Sequence, residues 1–371
     1  MVSASSKSAA QKASAPKSRF ARPPKKDCHP PFSRSNRLSV DLALQGGGAH
    51  GAFTWGVLDR LLEEDWIEIE AISGTSAGAM NAAVMAHGVA QGGPEGGRAA
   101  LEEFWRKISN AARFSPLQRG PLDILLGSWS LENSPFFQMM DMTARVFSPY
   151  QLNPMGGNPL SDILEEMIDF DRLTHGDIKL FVTATNVQTG CGRIFRNADI
   201  NEDVLLASAC LPMLYHAVEI DGEPYWDGGY SGNPAIAPLV RECAAKDTIL
   251  VQINPVERDG TPKSAREIAN RLNEVSFNSV LLKELRMIAF LRQVVSVEDE
   301  EGARWANMRM HRITGDVMLE LDSSSKMNAE WVFLEMLRDE GRKSCEAFLQ
   351  KHKADLGVRP SLDIDAMLPE V

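Results

Sequence analysis

The chain has 371 residues, 44% of them hydrophobic and 24% charged, which suits one large α/β domain or two ordinary ones. Its net charge is -11, although residues 1–37 hold nine Lys or Arg against one acid, Asp27; the acidic body beyond argues against a nucleic-acid partner, whose footprint is basic. Five Cys, odd in number and never spaced as C-x-x-C, disfavour a disulfide framework or a zinc site and point to a reducing compartment such as the cytoplasm, and no run of about 18 apolar residues predicts a membrane-crossing helix.

The first 37 residues, rich in Ser, Ala and Lys, lack the apolar segment of a secretory signal and read as a disordered basic tail. Ordered structure is expected from Leu38, where "LSVDLALQ" reads as a buried strand. "GGGAHG" follows as a loop, and "AFTWGVLDRLLEED" places Phe53, Val57, Leu58, Leu61 and Leu62 at helical spacing. "IEIEAIS" is a second strand running into "GTSAG", and "AMNAAVMAHGVA" a small-residue helix. This order of elements predicts an α/β fold with a mostly parallel sheet flanked by helices.

Residues 88–98 are Gly-rich and read as a loop, and 104–158 mix Pro, Gly, Met and Phe, as a lid over a site or a helical subdomain does. "IKLFVTATNV" is a strand with "GRIF" as hairpin partner, "NEDVLLASACLP" a helix stopped by Pro212, and "AVEIDGEPYWDGG" a hairpin turning at Asp221-Gly222. "DTILVQINP" is another buried strand. Helices are expected over 264–297 and 327–352, and a loose tail after His352. The domain reading is a tail at 1–37, a core at 38–255, a helical part packed on it at 256–355, and a second tail at 356–371.

Two motifs carry the chemistry. In "GTSAG", Ser76 sits where a strand meets a helix, the sharp turn that lifts a serine nucleophile clear of the backbone; Gly74, Ala77 and Gly78 are small enough to fit beside it. None of the histidines, His29, His50, His87, His175, His216, His311 and His352, stands out as its base. In "WDGGY", Asp227 ends a hairpin strand before Gly228 and Gly229, as a carboxylate held near a serine does, and equally as a simple turn aspartate does. The loop itself fits two roles. Gly46, Gly48 and Gly51 match G-x-G-x-x-G, with Glu68 and Glu70 near the distance a dinucleotide ribose needs. A glycine run also exposes backbone N–H groups to a tetrahedral oxyanion.

Taken together, "GGGAHG", "GTSAG" and "DGG", in that order, resemble the patatin-like phospholipase family over roughly residues 38–255. The resemblance implies a Ser–Asp dyad without histidine. Ser76 is then the nucleophile, Asp227 the base, and Gly46, Gly47 and Gly48 the oxyanion hole, with Gly51, Gly74, Gly78, Gly228 and Gly229 supporting the motifs. It implies hydrolysis of a lipid acyl ester and no metal or organic cofactor; transient contact with a membrane surface is an expectation from the apolar, Met- and Phe-rich insertion at 130–150. Where the family often has Arg or Lys after the glycines, this chain has His50, so a pH-dependent partial charge is expected there instead of a fixed one. The alternatives are a polyester or short-chain esterase with the same dyad, a nucleotide-binding oxidoreductase, and an inactive lipid-binding scaffold. The face of 264–297 bearing Phe277, Leu281, Leu285, Ile288, Leu291 and Val295 reads as core-facing or lipid-facing. Oligomeric state has no signal.

Overall fold

A computed structural model describes residues 37–295, 298 and 300–366; the expected basic tail, apart from Arg37, and the last five residues lie outside it. Strand β1 (Leu38–Leu44) leads through a 3-10 turn at Gly48–His50 into α1 (Gly51–Leu61), and β2 (Ile67–Gly74) leads into α2 (Ala77–Ala112). Short helices follow: α3 (Pro121–Leu125), α4 (Pro135–Ala144), α5 (Pro149–Leu152), α6 (Pro159–Met167) and α7 (Phe170–Thr174). Four of them begin on proline, whose fixed φ and missing N–H suit a first helical turn. Then come β3 (Lys179–Asn186), β4 (Gly192–Arg196), α8 (Glu202–Ser208), β5 (Val218–Ile220), β6 (Glu223–Asp227), α9 (Ala237–Glu242) and β7 (Asp247–Val251). The chain closes with α10 (Ala265–Val294), α11 (Glu300–Asn307), β8 (Arg309–Ile313), α12 (Val317–Glu320), a 3-10 turn at Ser324–Met327, and α13 (Trp331–His352).

The sheet order is β5-β6-β3-β2-β1-β7-β8, with β4 also paired to β3. Strands β3, β2, β1, β7 and β8 run parallel, while β4, β5 and β6 are antiparallel additions at one side. Alternation along β1 sends Leu42 and Leu44 into a core with α1, α2 and α13, and Ala43 into a second core with α9 and α10. The result is a mostly parallel sheet between two helical layers. Helices α1 and α13 cross closely because Gly56 lies against the Arg338 carbonyl and Gly341 against that of Phe53, leaving no room for a Cβ at either.

Several elements differ from the sequence reading. The glycine-rich stretch is a two-residue reversal, not a long loop: helical geometry breaks at Gly92 and Gly93, and Gly88 then packs against Gly96, so α2 is a hairpin of two helices. "MRMHRIT" is a parallel strand, β8, although it lies in the stretch expected to be helical. His311 there is fully buried between Asp247 and Ser361, at 2.9 Å from each, far from any catalytic role at Ser76. The same contacts hold the segment after His352: Ser361 and Leu362 donate to the Met310 carbonyl, and Leu356 and Ile364 are buried, so this stretch is fixed rather than loose through Ile364. Helix α10 turns Leu281, Leu285 and Ile288 to the core, whereas Leu272, Met287, Phe290 and Val294 face outward. Among the described residues no helix is long and apolar enough to cross a membrane.

Candidate active site

Parallel strands collect their following loops at one edge of the sheet, and the three motifs meet there. Gly74 ends β2 and pairs with Val182 of β3; two residues further along β3, Ala184 pairs with Asp227 of β6. Ser76, two residues past Gly74, therefore stands level with Asp227. The glycine loop comes off the end of β1, whose Leu44 pairs with Gly74.

Ser76 adopts φ 53 and ψ -122, a left-handed conformation unusual for a residue with a Cβ and the strained turn expected of an exposed nucleophile. Three contacts hold it. Its N–H donates to Ser208 Oγ at 2.9 Å, the Thr75 hydroxyl donates to the Gly232 carbonyl at 2.6 Å, and the Ser73 hydroxyl donates to the Ala235 carbonyl at 2.5 Å. The last two tie the serine turn to the loop that follows Asp227. The small residues are sterically required: a Cβ on Gly78 would overlap the Leu44 carbonyl, and one on Gly74 the backbone of Gly78 and Ala79. A Cβ on Gly51 would press on Ala77 and Trp105.

Asp227 is 2% exposed. Its Oδ1 accepts the Gly229 N–H at 2.7 Å, and Gly228 passes so close to the Thr183 carbonyl that no side chain fits. Burial pushes its pKa up to about 7; the Gly229 N–H, the Ser76 hydroxyl and the charge of Lys326 pull the other way and keep it from going higher. A carboxylate of this pKa beside a serine hydroxyl is a competent general base near neutrality, which a solvated aspartate is not.

The three glycines of the loop differ in their contacts. Gly46 lies against Ser76, where an added Cβ would come within 2.8 Å of the Ser76 Cβ, but its N–H donates to Asn233 Oδ1 at 2.7 Å. That N–H is occupied and not free to meet an oxyanion, whereas the N–H groups of Gly47 and Gly48 meet no acceptor among the described residues. Gly48 has φ +57, and a Cβ there would overlap the Lys326 carbonyl. His50 is buried, with Nε2 at 2.8 Å from the Ser325 hydroxyl. That hydroxyl donates to the Asp322 carbonyl at 2.7 Å, so it accepts from His50, which is the neutral Nε2–H tautomer. Burial, then the neighbouring Lys326 and Arg258, hold its pKa well below the usual imidazole range. The pH-dependent charge expected at His50 is therefore absent.

Glu68 and Glu70 lie short of the carboxyl end of β2, and Glu70 is committed to Lys179 and to the N–H groups of Ala244 and Ala245. Neither reaches the loop as a ribose-binding acid does. Among the described residues no group of three or more His, Cys, Asp or Glu is placed to hold a metal.

The model of the family described as "Patatin-like phospholipase" matches residues 42–240. The chain belongs to the patatin-like phospholipase family. Family membership supports a lipid hydrolase and, with it, a lipid substrate. No curated protein matches. Among solved structures, VipD from Legionella pneumophila aligns at 16% identity over 82% of this chain and 67% of that chain, with a TM-score of 0.32. The family segment contains all three motifs but ends before Asn254, Phe277, Ser325 and Lys326, which line the same site. The sequence offers little to single these out: Lys326 sits in "DSSSKMN", which reads as an ordinary polar loop.

The segment at 104–158 is the second arm of α2 followed by α3 to α5. It is tethered on both sides of the site. At one side the Ser324 hydroxyl accepts the Leu131 N–H at 2.9 Å and Arg119 pairs with Glu330. At the other, Tyr150 stacks on His216 with ring centroids 4.1 Å apart. Along this segment Leu125, Leu126, Met142, Val146 and Met155 are exposed.

Proposed function

We propose that this protein is a lipid acyl hydrolase acting through a Ser76–Asp227 dyad and an acyl-enzyme intermediate. Asp227 takes the Ser76 proton as the Ser76 oxygen attacks the ester carbonyl. The N–H groups of Gly47 and Gly48 stabilise the oxyanion. The protonated Asp227 gives its proton to the leaving alkoxide, and then activates the water that deacylates Ser76. The observation that carries this reading is the strained Ser76 turn beside a buried carboxylate whose pKa is raised to about 7. The exposed leucines, methionines and valine of the 104–158 segment support contact with a lipid surface, where apolar groups leave water as the site meets its substrate.

The test is labelling by a fluorophosphonate probe followed by peptide mapping, with turnover measured on chromogenic esters and on phospholipid vesicles. The label maps to Ser76 and is lost in Ser76→Ala together with hydrolysis. A Ser76→Ala protein that still hydrolyses esters sinks the reading, and one that binds vesicles while the wild type hydrolyses nothing favours a lipid-binding scaffold.

A further inference from the structure

The charge that the glycine loop lacks at His50 has a different source in this fold. The residue after Ser325, the partner of His50, is Lys326. Its main-chain carbonyl presses on Gly48, and its side chain runs past the ring of Phe277, with Nζ 5.4 Å from the ring centroid. Phe277 in turn packs on Gly229, the residue that holds the Asp227 carboxylate. The Lys326 ammonium donates to two neutral oxygens, Asn254 Oδ1 and Asn273 Oδ1, each at 2.8 Å.

Asn254 connects that ammonium to the loop. An ammonium only donates, so it fixes which end of the Asn254 amide faces it. The NH2 end is thereby turned to the Gly46 carbonyl, at 2.9 Å. The Gly46 carbonyl and the Gly47 N–H belong to one peptide group. A hydrogen bond to the oxygen polarises that group and makes the N–H a stronger donor.

We propose that Lys326 is a positioning residue for the reaction, supplying the site's positive charge to the Asp227 carboxylate and, through Asn254, to the Gly46–Gly47 peptide. The assignment rests on the dyad reading above. The charge acts in two ways. It favours the ionised form of Asp227 against the desolvation that burial imposes, and it strengthens the donor that meets the oxyanion. The other titratable groups in reach are accounted for: Glu274 is paired with Arg258 and Arg271, His50 is neutral, and Cys210 and Tyr230 beside Asp227 are themselves held protonated by burial. Burial lowers the Lys326 pKa to about 8, so the ammonium persists through neutral pH.

The experiment compares wild type, Lys326→Met, Lys326→Arg and Ser76→Ala in hydrolysis of p-nitrophenyl butyrate between pH 5 and 9. The rate of Ser76 labelling by a fluorophosphonate is followed in parallel. Lys326→Met is expected to lower kcat by roughly tenfold or more with KM within about threefold. Its acid limb moves up by about half a pH unit or more, because Asp227 loses the charge that favours its ionisation. Lys326→Arg keeps the charge and keeps the acid limb in place. The wild type is itself a test free of any folding defect: its kcat declines as pH rises through about 8. A Lys326→Met protein with wild-type kcat and an unmoved acid limb overturns the proposal, and so does a wild-type kcat that stays level to pH 9. An inactive Ser76→Ala beside such a Lys326→Met leaves the dyad standing. A Ser76→Ala protein that remains active removes the dyad and this proposal together.

Discussion

Replacing Asp227 by Asn separates what the carboxylate does for catalysis from what it costs the fold. The side chain is 2% exposed, and its pKa rises from 3.8 to about 7 on folding. A carboxyl with a folded pKa above its unfolded value holds its proton longer in the native state. Stability therefore declines as pH rises from the unfolded value through the folded one, at about 1.4 kcal/mol per unit. Over this interval the loss amounts to about 4 kcal/mol, fully present above pH 7 and absent below about 4. Asparagine has no proton to lose and keeps an oxygen for the Gly229 N–H, now 2.7 Å from Asp227 Oδ1. Lys326 loses an attractive neighbour in the variant, which offsets part of the gain, so a net stabilisation of about 2–4 kcal/mol is expected at pH 8. For a chain of 371 residues this raises Tm by roughly 3–5 °C at pH 8 and by almost nothing at pH 4. The assay is thermal unfolding of both proteins at pH 4, 5, 6, 7 and 8, with ester turnover measured in parallel and expected to fall by about two orders of magnitude or more. A Tm difference that does not grow between pH 4 and 7 refutes the buried, raised carboxyl, and undiminished turnover refutes its role as base.

Four further outcomes are expected. The kcat/KM of the wild type rises with pH through about 7, since Asp227 must be unprotonated to accept the Ser76 proton; a profile level from pH 5 to 7 contradicts this. Ser76→Gly is inactive yet more stable than Ser76→Ala by about 1 kcal/mol or more, because glycine adopts φ 53 without strain; equal denaturation midpoints argue against a strained turn. Gly48→Ala loses about 1–3 kcal/mol of stability and most of its turnover, as its Cβ must displace the Lys326 carbonyl from beside the loop; chemical denaturation and an ester assay check both. Leu125→Ser combined with Met142→Ser, both exposed positions, lowers turnover on phospholipid vesicles by roughly tenfold while leaving p-nitrophenyl butyrate hydrolysis unchanged; equal loss on both substrates removes the lipid-surface role of this segment.

Short-range pattern made much of the fold legible. Alternation and helical spacing located β1, α1, β2 and β3, and Asp221-Gly222 announced the β5–β6 hairpin, where both residues have positive φ. The motif glycines were readable because each marks a place where neighbouring backbone or side chains leave no room for a Cβ. The strand β8 was hidden because "MRMHRI" carries two arginines, one of which pairs with Asp247 on the neighbouring strand while the other stays exposed. The helix pair at 77–112 was hidden because five glycines within 88–98 suggest a loop, although Gly88 and Gly96 serve as close-packing positions between the arms.

The sequence by itself determined the strands and helices from β1 to β2, the strand β3, the β5–β6 hairpin and the three motifs, since each depends on spacing within about ten residues. Only the tertiary structure decided the electrostatics of the site. His50 and Ser325 are 275 residues apart in the chain, and no local pattern tells that their contact makes the histidine neutral. The same packing brings Lys326 beside Gly48 and lets Asn233 occupy the Gly46 N–H. Charge, protonation and the availability of a donor are set by what surrounds a group, and those surroundings are assembled from distant segments only when the sheet closes.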